Sequence, residues 1–207
     1  MKTEKTYICW FEDLNSENVA LVGGKNASLG EMIQSLQEER VRVPNGFATT
    51  ADAYWEFLQA NDLKEKIQAH LDELEAEKQS LEKVGKSIRR LFLRASFPES
   101  VAEAIRQAYR QLSQQYETKE VDVAVRSSAT AEDLPEASFA EQQESFLNVL
   151  GEEELLEACR KCYASLFTNR AISYRQAKGF DHMQVALSVG VQKMVRADLA
   201  GAGDRNS

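Results

Sequence analysis

Cysteine is scarce in this sequence. Cys9, Cys159 and Cys162 are the whole complement, too few and too odd for a disulfide scaffold and suited to a reducing cytoplasm. Long apolar runs are missing too. None approaches the roughly 20 residues a membrane-spanning helix needs. The opening Met1–Thr6 leads into no apolar segment of the secretory type. Basic charge is in deficit: 25 Lys and Arg against 33 Asp and Glu give a net charge of −8. That excludes nonspecific nucleic-acid binding, which needs a basic surface, and leaves room for a local cationic pocket. Internal repeats and low-complexity tracts are absent. With 207 residues, 43% of them hydrophobic, the chain suits one domain or two small ones with a sizeable core.

What is present reads as a mixture of helices and strands. Residues 7–12 are rich in aromatic and β-branched side chains and predict a strand. Gly23-Gly24 breaks the pattern, and Leu29, Met32, Ile33 and Leu36 then predict a helix over 25–37. Val43–Phe47 reads as a turn around Pro44 and Asn45-Gly46. Thr50 or Asp52 is placed to cap a helix running to about Gln59. Ile67, Leu74, Leu81 and Ile88 recur every seven residues, while Lys78 and Gly85 interrupt the companion seam. A hairpin of packed helices accounts for this better than a long coiled coil. Pro98 opens a further helix with Val101, Ile105, Ala108, Leu112 and Tyr116 on one face.

Beyond residue 120 the character changes. Residues 121–125 alternate as a strand, and Arg126 ends it at the mouth of a polar loop over 127–140. Residues 146–150 predict a strand and Glu152–Phe167 an amphipathic helix with an acidic start. Thr168 or Asn169 caps a helix to about Lys178, and 185–195 predict a last strand.

Chemistry is concentrated in few places. Gly23-Gly24-Lys25 precedes a predicted helix, so glycine backbone, helix N–H groups and a cation converge as a phosphate would require. The triplet is not a Walker A loop, and taken alone a plain turn before a helix accounts for it. Arg126 at a strand end, followed by Ser127, Ser128 and Thr130, offers a guanidinium fork and hydroxyls to phosphate oxygens. The plain alternative is a surface pair with Glu132 or Asp133. Cys159 and Cys162 share a helix near its apolar face. Without a second cysteine pair they read as buried thiols rather than a zinc site. His70 and His182 have no convincing Ser, Cys or carboxylate constellation around them.

Taken together, Val22–Met32, Val43–Ala51, Val123–Pro135, Ser138–Ala140, Glu144–Val149, Ser165–Thr168 and Val191–Val195 resemble the N-terminal nucleotide-binding region of the phosphoenolpyruvate synthase (pyruvate, water dikinase) family. The stretches occur in the family's order over nearly the whole chain. The resemblance implies an α+β fold: the first lobe of an ATP-grasp-like domain of the pyruvate phosphate dikinase N-terminal type, over 1–195, with a helical insertion near 63–118. It implies an enzyme that converts ATP, pyruvate and water to AMP, phosphoenolpyruvate and phosphate through a phosphohistidine carried by a mobile domain. Pyruvate phosphate dikinase and rifampin phosphotransferase share the ATP module and are the alternative enzymes. A noncatalytic nucleotide-binding fragment is the alternative of another class.

By the same resemblance Lys25 and Arg126 hold ATP phosphates, with Glu141, Ser145 and Phe146 around the phosphate loop. Gln192 reads the adenine edge, and Met194 and Val195 wall the base. Magnesium accompanies ATP, with its ligands expected mainly in a second lobe, and neither His70 nor His182 matches the phosphorylated histidine. Two departures stand out. Glu141 occupies a position where the family generally has glycine. Like charges 4 Å apart repel by about 1 kcal/mol in water and about 4 kcal/mol at an effective dielectric of 20, so Glu141 is expected to weaken ATP binding. The segment 196–207 is expected to be a divergent tail where the family continues into its second lobe. Such a fragment is expected to be inactive alone and to associate through exposed lobe surface.

Overall fold

A computed structural model describes residues 5–41, 43–130 and 145–195. Glu141 and the expected tail lie outside the described residues. The fold is α+β, built on a sheet of five strands. These are β1 (Ile8–Trp10), β2 (Gly46–Thr49), β3 (Val123–Ala129), β4 (Ser145–Val149) and β5 (Leu187–Lys193). Their spatial order is β1-β2-β5-β3-β4, with every neighbouring pair antiparallel. The helices are α1 (Val19–Val22), α2 (Gly24–Glu38), α3 (Ala51–Ala60), α4 (Leu63–Glu75), α5 (Leu81–Arg94), α6 (Glu99–Gln115), α7 (Glu152–Ser165) and α8 (Asn169–Lys178). None is long and apolar enough to cross a membrane.

Local chemistry explains most of the helix boundaries. Thr50 caps α3 by accepting from Ala53 N at 3.3 Å, and Thr168 caps α8 by accepting from Ala171 N at 3.3 Å. Pro98 sits just ahead of α6. The acidic start of α7 is held by α6: Arg110 grips Glu152 with two hydrogen bonds of 2.7 and 2.9 Å. The seven-residue seam resolves into the α4–α5 hairpin, with Ile67 and Ile88 fully buried and Leu74 and Leu81 at its margin.

Residues opposite one another in the ladders share a face, so the register sorts the sheet into two sides. One side carries Phe47, Val123, Val125, Val189 and Val191, all buried in the larger core with α3, α6 and α7. An aromatic cluster continues that core outward. Phe92 stacks on Phe57 and Phe167 with centroids 6.1 and 5.5 Å apart, and Tyr54 meets Tyr163 edge-on at 5.1 Å. Helices α4–α6, the region read as an insertion, belong to this same core. The other side is covered in part by α2, through a smaller core of Phe11, Leu14, Val22, Ala27, Ile33 and Ala48.

Two expectations are corrected. The segment around Asn45-Gly46 is not a turn: Gly46 begins β2, an interior strand. A Cβ at Gly46 would lie 2.1 Å from Val191 O and 2.7 Å from the Phe11 ring, so glycine serves close approach there rather than positive φ. Arg126 does not end its strand. β3 runs on to Ala129, because Ser127, Ser128 and Ala129 keep pairing with Val189, Ser188 and Leu187. Small side chains, two of them hydroxylic, disguise a buried strand as a loop.

A candidate phosphate site beside a cleft at the end of the sheet

The start of α2 is pressed against β3. Gly23 has φ +77° and ψ 158°, a region that glycine alone occupies readily. A Cβ on it would sit 2.3 Å from Ser128 Oγ and 2.6 Å from Ala129 O. Glycine therefore lets the helix N-terminus reach the strand. Asn26 locks the arrangement: its Nδ2 donates to Val22 O at 3.0 Å and to Ser188 Oγ at 2.9 Å, and Ser188 Oγ donates to Thr49 O at 2.5 Å. Lys25, half-buried in the first turn of α2, is thereby fixed beside the end of β3. The Ser128 hydroxyl is buried there without a hydrogen bond.

Arg126 lies two residues before Ser128, roughly 7 Å along the strand on the same side of the sheet. It is opposite Gly190 on one neighbour and Ser145 on the other, and it is exposed. The helix N-terminus, Lys25, the Ser128 hydroxyl, Arg126 and Ser145 thus share the side that α2 leaves partly open. They supply donors and positive charge, the donor set that phosphate oxygens require. Phe146 does not join them. It is opposite Val125 and so faces the larger core, with Lys161 Nζ 5.8 Å from its ring centre.

The other named residues cluster at the far end of β5. Gln192 is opposite Ala124 and Gly46, and its Nε2 donates to Pro44 O at 3.1 Å, so that amide is already engaged by the protein. Met194 N donates to Asp122 O at 2.9 Å, which carries the ladder one residue past the strand. Met194 and Val195 line a cleft of about 620 Å³ together with Val41, Val43, Pro44 and Tyr116. Lys193 Nζ lies 5.0 Å from the Tyr116 ring centre and 3.6 Å from Asp122. From Arg126 to Met194 the register spans four residues, roughly 13 Å at the rise of a strand. Val43, Pro44 and Tyr116 were not singled out as lining residues by sequence reasoning. Pro44 reads as part of a turn and Tyr116 as part of a helix face; they meet Met194 because Gln192 Nε2 donates to Pro44 O and the Tyr116 hydroxyl accepts from Asn45 N at 2.8 Å.

Other titratable groups are built into the fold. Arg175 is fully buried; its Nε donates to His182 Nδ1 at 2.8 Å and a terminal nitrogen donates to Leu166 O at 2.7 Å. Burial, then the Arg175 charge, pushes His182 down to about 4. Burial pushes Arg175 itself down to about 10. The pair ties α8 to the segment leading into β5. Cys159 and Cys162 are buried thiols outside any disulfide, and burial pushes Cys159 up to about 12, which suppresses the reactive thiolate. Among the described residues no group of three or more His, Cys, Asp or Glu is arranged to hold a metal ion.

A family model described as pyruvate phosphate dikinase, AMP/ATP-binding domain, matches residues 19–203. The chain is 56% identical over 198 residues to phosphoenolpyruvate synthase of Helicobacter pylori, covering 95% of this chain and 24% of the relative. It is 50% identical over 200 residues to the protein of that name from Aquifex aeolicus, covering 96% and 23%. Against the Escherichia coli protein of that name it is 51% identical over 197 residues, covering 95% and 25%. The chain spans about a quarter of the length of these relatives.

Proposed function

The chain belongs to the pyruvate phosphate dikinase AMP/ATP-binding domain family, and on that premise we propose that it supplies ATP-binding residues for a phosphoenolpyruvate synthase. The relatives reported above all carry that name, which favours the synthase over other users of the same domain. The observation that carries the reading is the approach of the α2 N-terminus to Ser128, on the side of the sheet that holds Arg126.

In this reading Lys25 and Arg126 hold the phosphates of ATP. Two fixed cations stabilise the charge that develops on a phosphoryl group as it transfers, and the peptide N–H groups of α2 add to them. Ser145, opposite Arg126, supplies a hydroxyl at the same place. The base occupies the cleft past the end of β5, against Met194 and Val195. Gln192 positions Pro44 through its amide and contributes to base recognition through its remaining oxygen. The site is half of an ATP-grasp-like cleft, with the uncovered Arg126, Ser145 and Leu147 on the side where a second lobe would close. Exposed Met32, Val41, Leu147, Leu150 and Val195 are the surface through which the isolated chain associates. Magnesium would arrive with ATP; the described residues offer no cluster for it, and no step is assigned to it. Phosphoryl transfer onward to pyruvate, and a cytoplasmic location, belong to the same proposal.

Calorimetric titration of the folded chain with Mg²⁺-ATP tests the reading. Saturable binding that is lost in Arg126→Ala supports it. A folded sample that gives no saturable heat, or equal affinity in the variant, overturns it.

A further inference from the structure

Helix α6 belongs to the helical region, yet its end forms part of the cleft beyond β5. Tyr109, Ser113 and Tyr116 follow one another at spacings of four and three and so share a helix face. The Tyr109 hydroxyl donates to Val121 O at 2.8 Å, and Ser113 Oγ accepts from Val121 N at 3.1 Å. Both backbone groups of one residue are thereby held, which fixes α6 against the segment that leads into β3. The helix then stops. Thr118 N donates to Ser113 O at 3.1 Å and Glu117 N to Gln114 O at 3.0 Å, with Glu117 at φ +53°, the pattern of a left-handed helix end. Tyr116 stands immediately before that stop, and its place is set by the two contacts to Val121.

The partners of Tyr116 lie on two walls of the cleft. Its hydroxyl accepts from Asn45 N at 2.8 Å, and Asn45 Nδ2 donates to Gln115 Oε1 at 3.1 Å. Asn45 O accepts in turn from Lys193 N at 3.1 Å. The Tyr116 ring centre is 5.0 Å from Lys193 Nζ, which also lies 3.6 Å from Asp122 and donates to Met194 O at 3.2 Å. One phenol therefore braces Pro44-Asn45 ahead of β2 and Lys193-Met194 at the end of β5. Tyr109 offers the contrast within the same helix. It is fully buried, and its partners Val121 and Gly151 stand outside the cleft. Tyr116 is half-buried and lines the cleft itself.

We propose that Tyr116 is a positioning residue for the base of ATP, acting through Asn45 and Lys193 and not on the phosphates. The inference deepens the function proposed above and rests on its placing of the base in this cleft. A flat ring is held by contact on both faces, and contact energy falls steeply once a gap opens between wall and ring. Bracing the two walls from one side chain fixes their separation. Arg126 is roughly 13 Å away along the register, so a slackened cleft leaves the phosphate contacts in place.

The test is calorimetric titration of the whole chain with Mg²⁺-ATP and with inorganic tripolyphosphate, which has the phosphates and no base. Tyr116→Leu, which removes ring and hydroxyl, should weaken ATP binding by at least about tenfold and leave tripolyphosphate affinity unmoved. Tyr116→Phe keeps the ring and should weaken ATP binding by about fivefold, again without effect on tripolyphosphate. It decides the matter alone if Tyr116→Leu fails to fold. Arg126→Ala should weaken both ligands. ATP affinity that falls in Arg126→Ala but stays within about twofold in the Tyr116 variants overturns this inference and leaves the phosphate assignment standing. Equal losses of ATP and tripolyphosphate in the Tyr116 variants also overturn it, because a general loosening of the fold would produce them. Absence of saturable ATP binding in the unmodified chain overturns the function proposed above, and this inference with it.

Discussion

On one side of the sheet Phe47, Val123, Val125, Val189 and Val191 are sealed against helices and a cluster of stacked aromatic rings. On the other side the same strands present Ala124, Arg126, Ser128, Gly190 and Gln192, and α2 covers them only in part. Alternation along β3 delivers both sets from consecutive residues. The packed side holds the fold together by apolar burial. The open side uses small residues for close approach and leaves its charge accessible. Substitutions on the first should therefore cost stability, and substitutions on the second should cost ligand binding at nearly constant stability.

Phe92→Ala on the packed side should have the largest effect. It empties a fully buried position between Phe57 and Phe167, and the loss should be about 3–5 kcal/mol, read from urea unfolding. Arg126→Ala is the counterpart on the open side. Its melting temperature should barely move, while ATP affinity falls by roughly 10- to 150-fold, the worth of a charge-assisted hydrogen bond. Equal losses of stability in the two variants would erase the distinction between the faces.

Gly23→Ala joins the two effects. The backbone there disfavours any Cβ, and the added carbon would meet Ser128 Oγ. Stability should drop by about 1–3 kcal/mol, and ATP binding should weaken as α2 backs away from β3. Unfolding curves and calorimetry on one preparation separate the parts.

His182 gives a pH test of the packed region. Its folded value is pushed down to about 4, whereas an unfolded histidine titrates near 6.5. The unfolded chain therefore binds the extra proton between those values. The contribution is complete above about pH 6.5 and is lost as the pH falls towards 4. Urea midpoints measured across that window should fall with pH, and His182→Asn should flatten the trend. The smallest expected change is at Glu141. Glu141→Gly should tighten ATP binding by about fivefold, equivalent to the roughly 1 kcal/mol repulsion of like charges in water. An unchanged dissociation constant would refute the charge argument.

The sequence pattern made the helices and their caps legible. Apolar residues at spacings of three and four mark α2, α6 and α7, and hydroxyl caps set the starts of α3 and α8. Two strands were obscured for a physical reason. β2 begins on glycine straight after Pro44-Asn45, a turn signal that masks Phe47 and Thr49, and the second half of β3 is Ser-Ser-Ala, which lacks the branched or aromatic signature of a strand. The side chains that would signal a strand are absent where a helix must approach the backbone. At the site, Lys25, Arg126 and Ser145 could be named from motif resemblance, and the register puts Arg126 and Ser145 side by side. The register also turns Phe146 to the opposite side, a one-residue consequence of pleating that residue types do not reveal. Ser128, Asn26 and Tyr116 matter through contacts with residues distant in sequence. The Arg175–His182 pair was missed because seven residues separate two groups that only the turn after α8 brings together.

The most direct measurement is amide chemical-shift mapping of the isotopically labelled chain during titration with Mg²⁺-ATP. Saturable shifts at Lys25, Arg126, Ser128 and Gly190 through Met194, with Phe57, Phe92 and Phe167 unmoved, are the predicted result. Shifts centred on the aromatic side, or none in a folded sample at saturating nucleotide, would contradict the assignment of the open face to ATP.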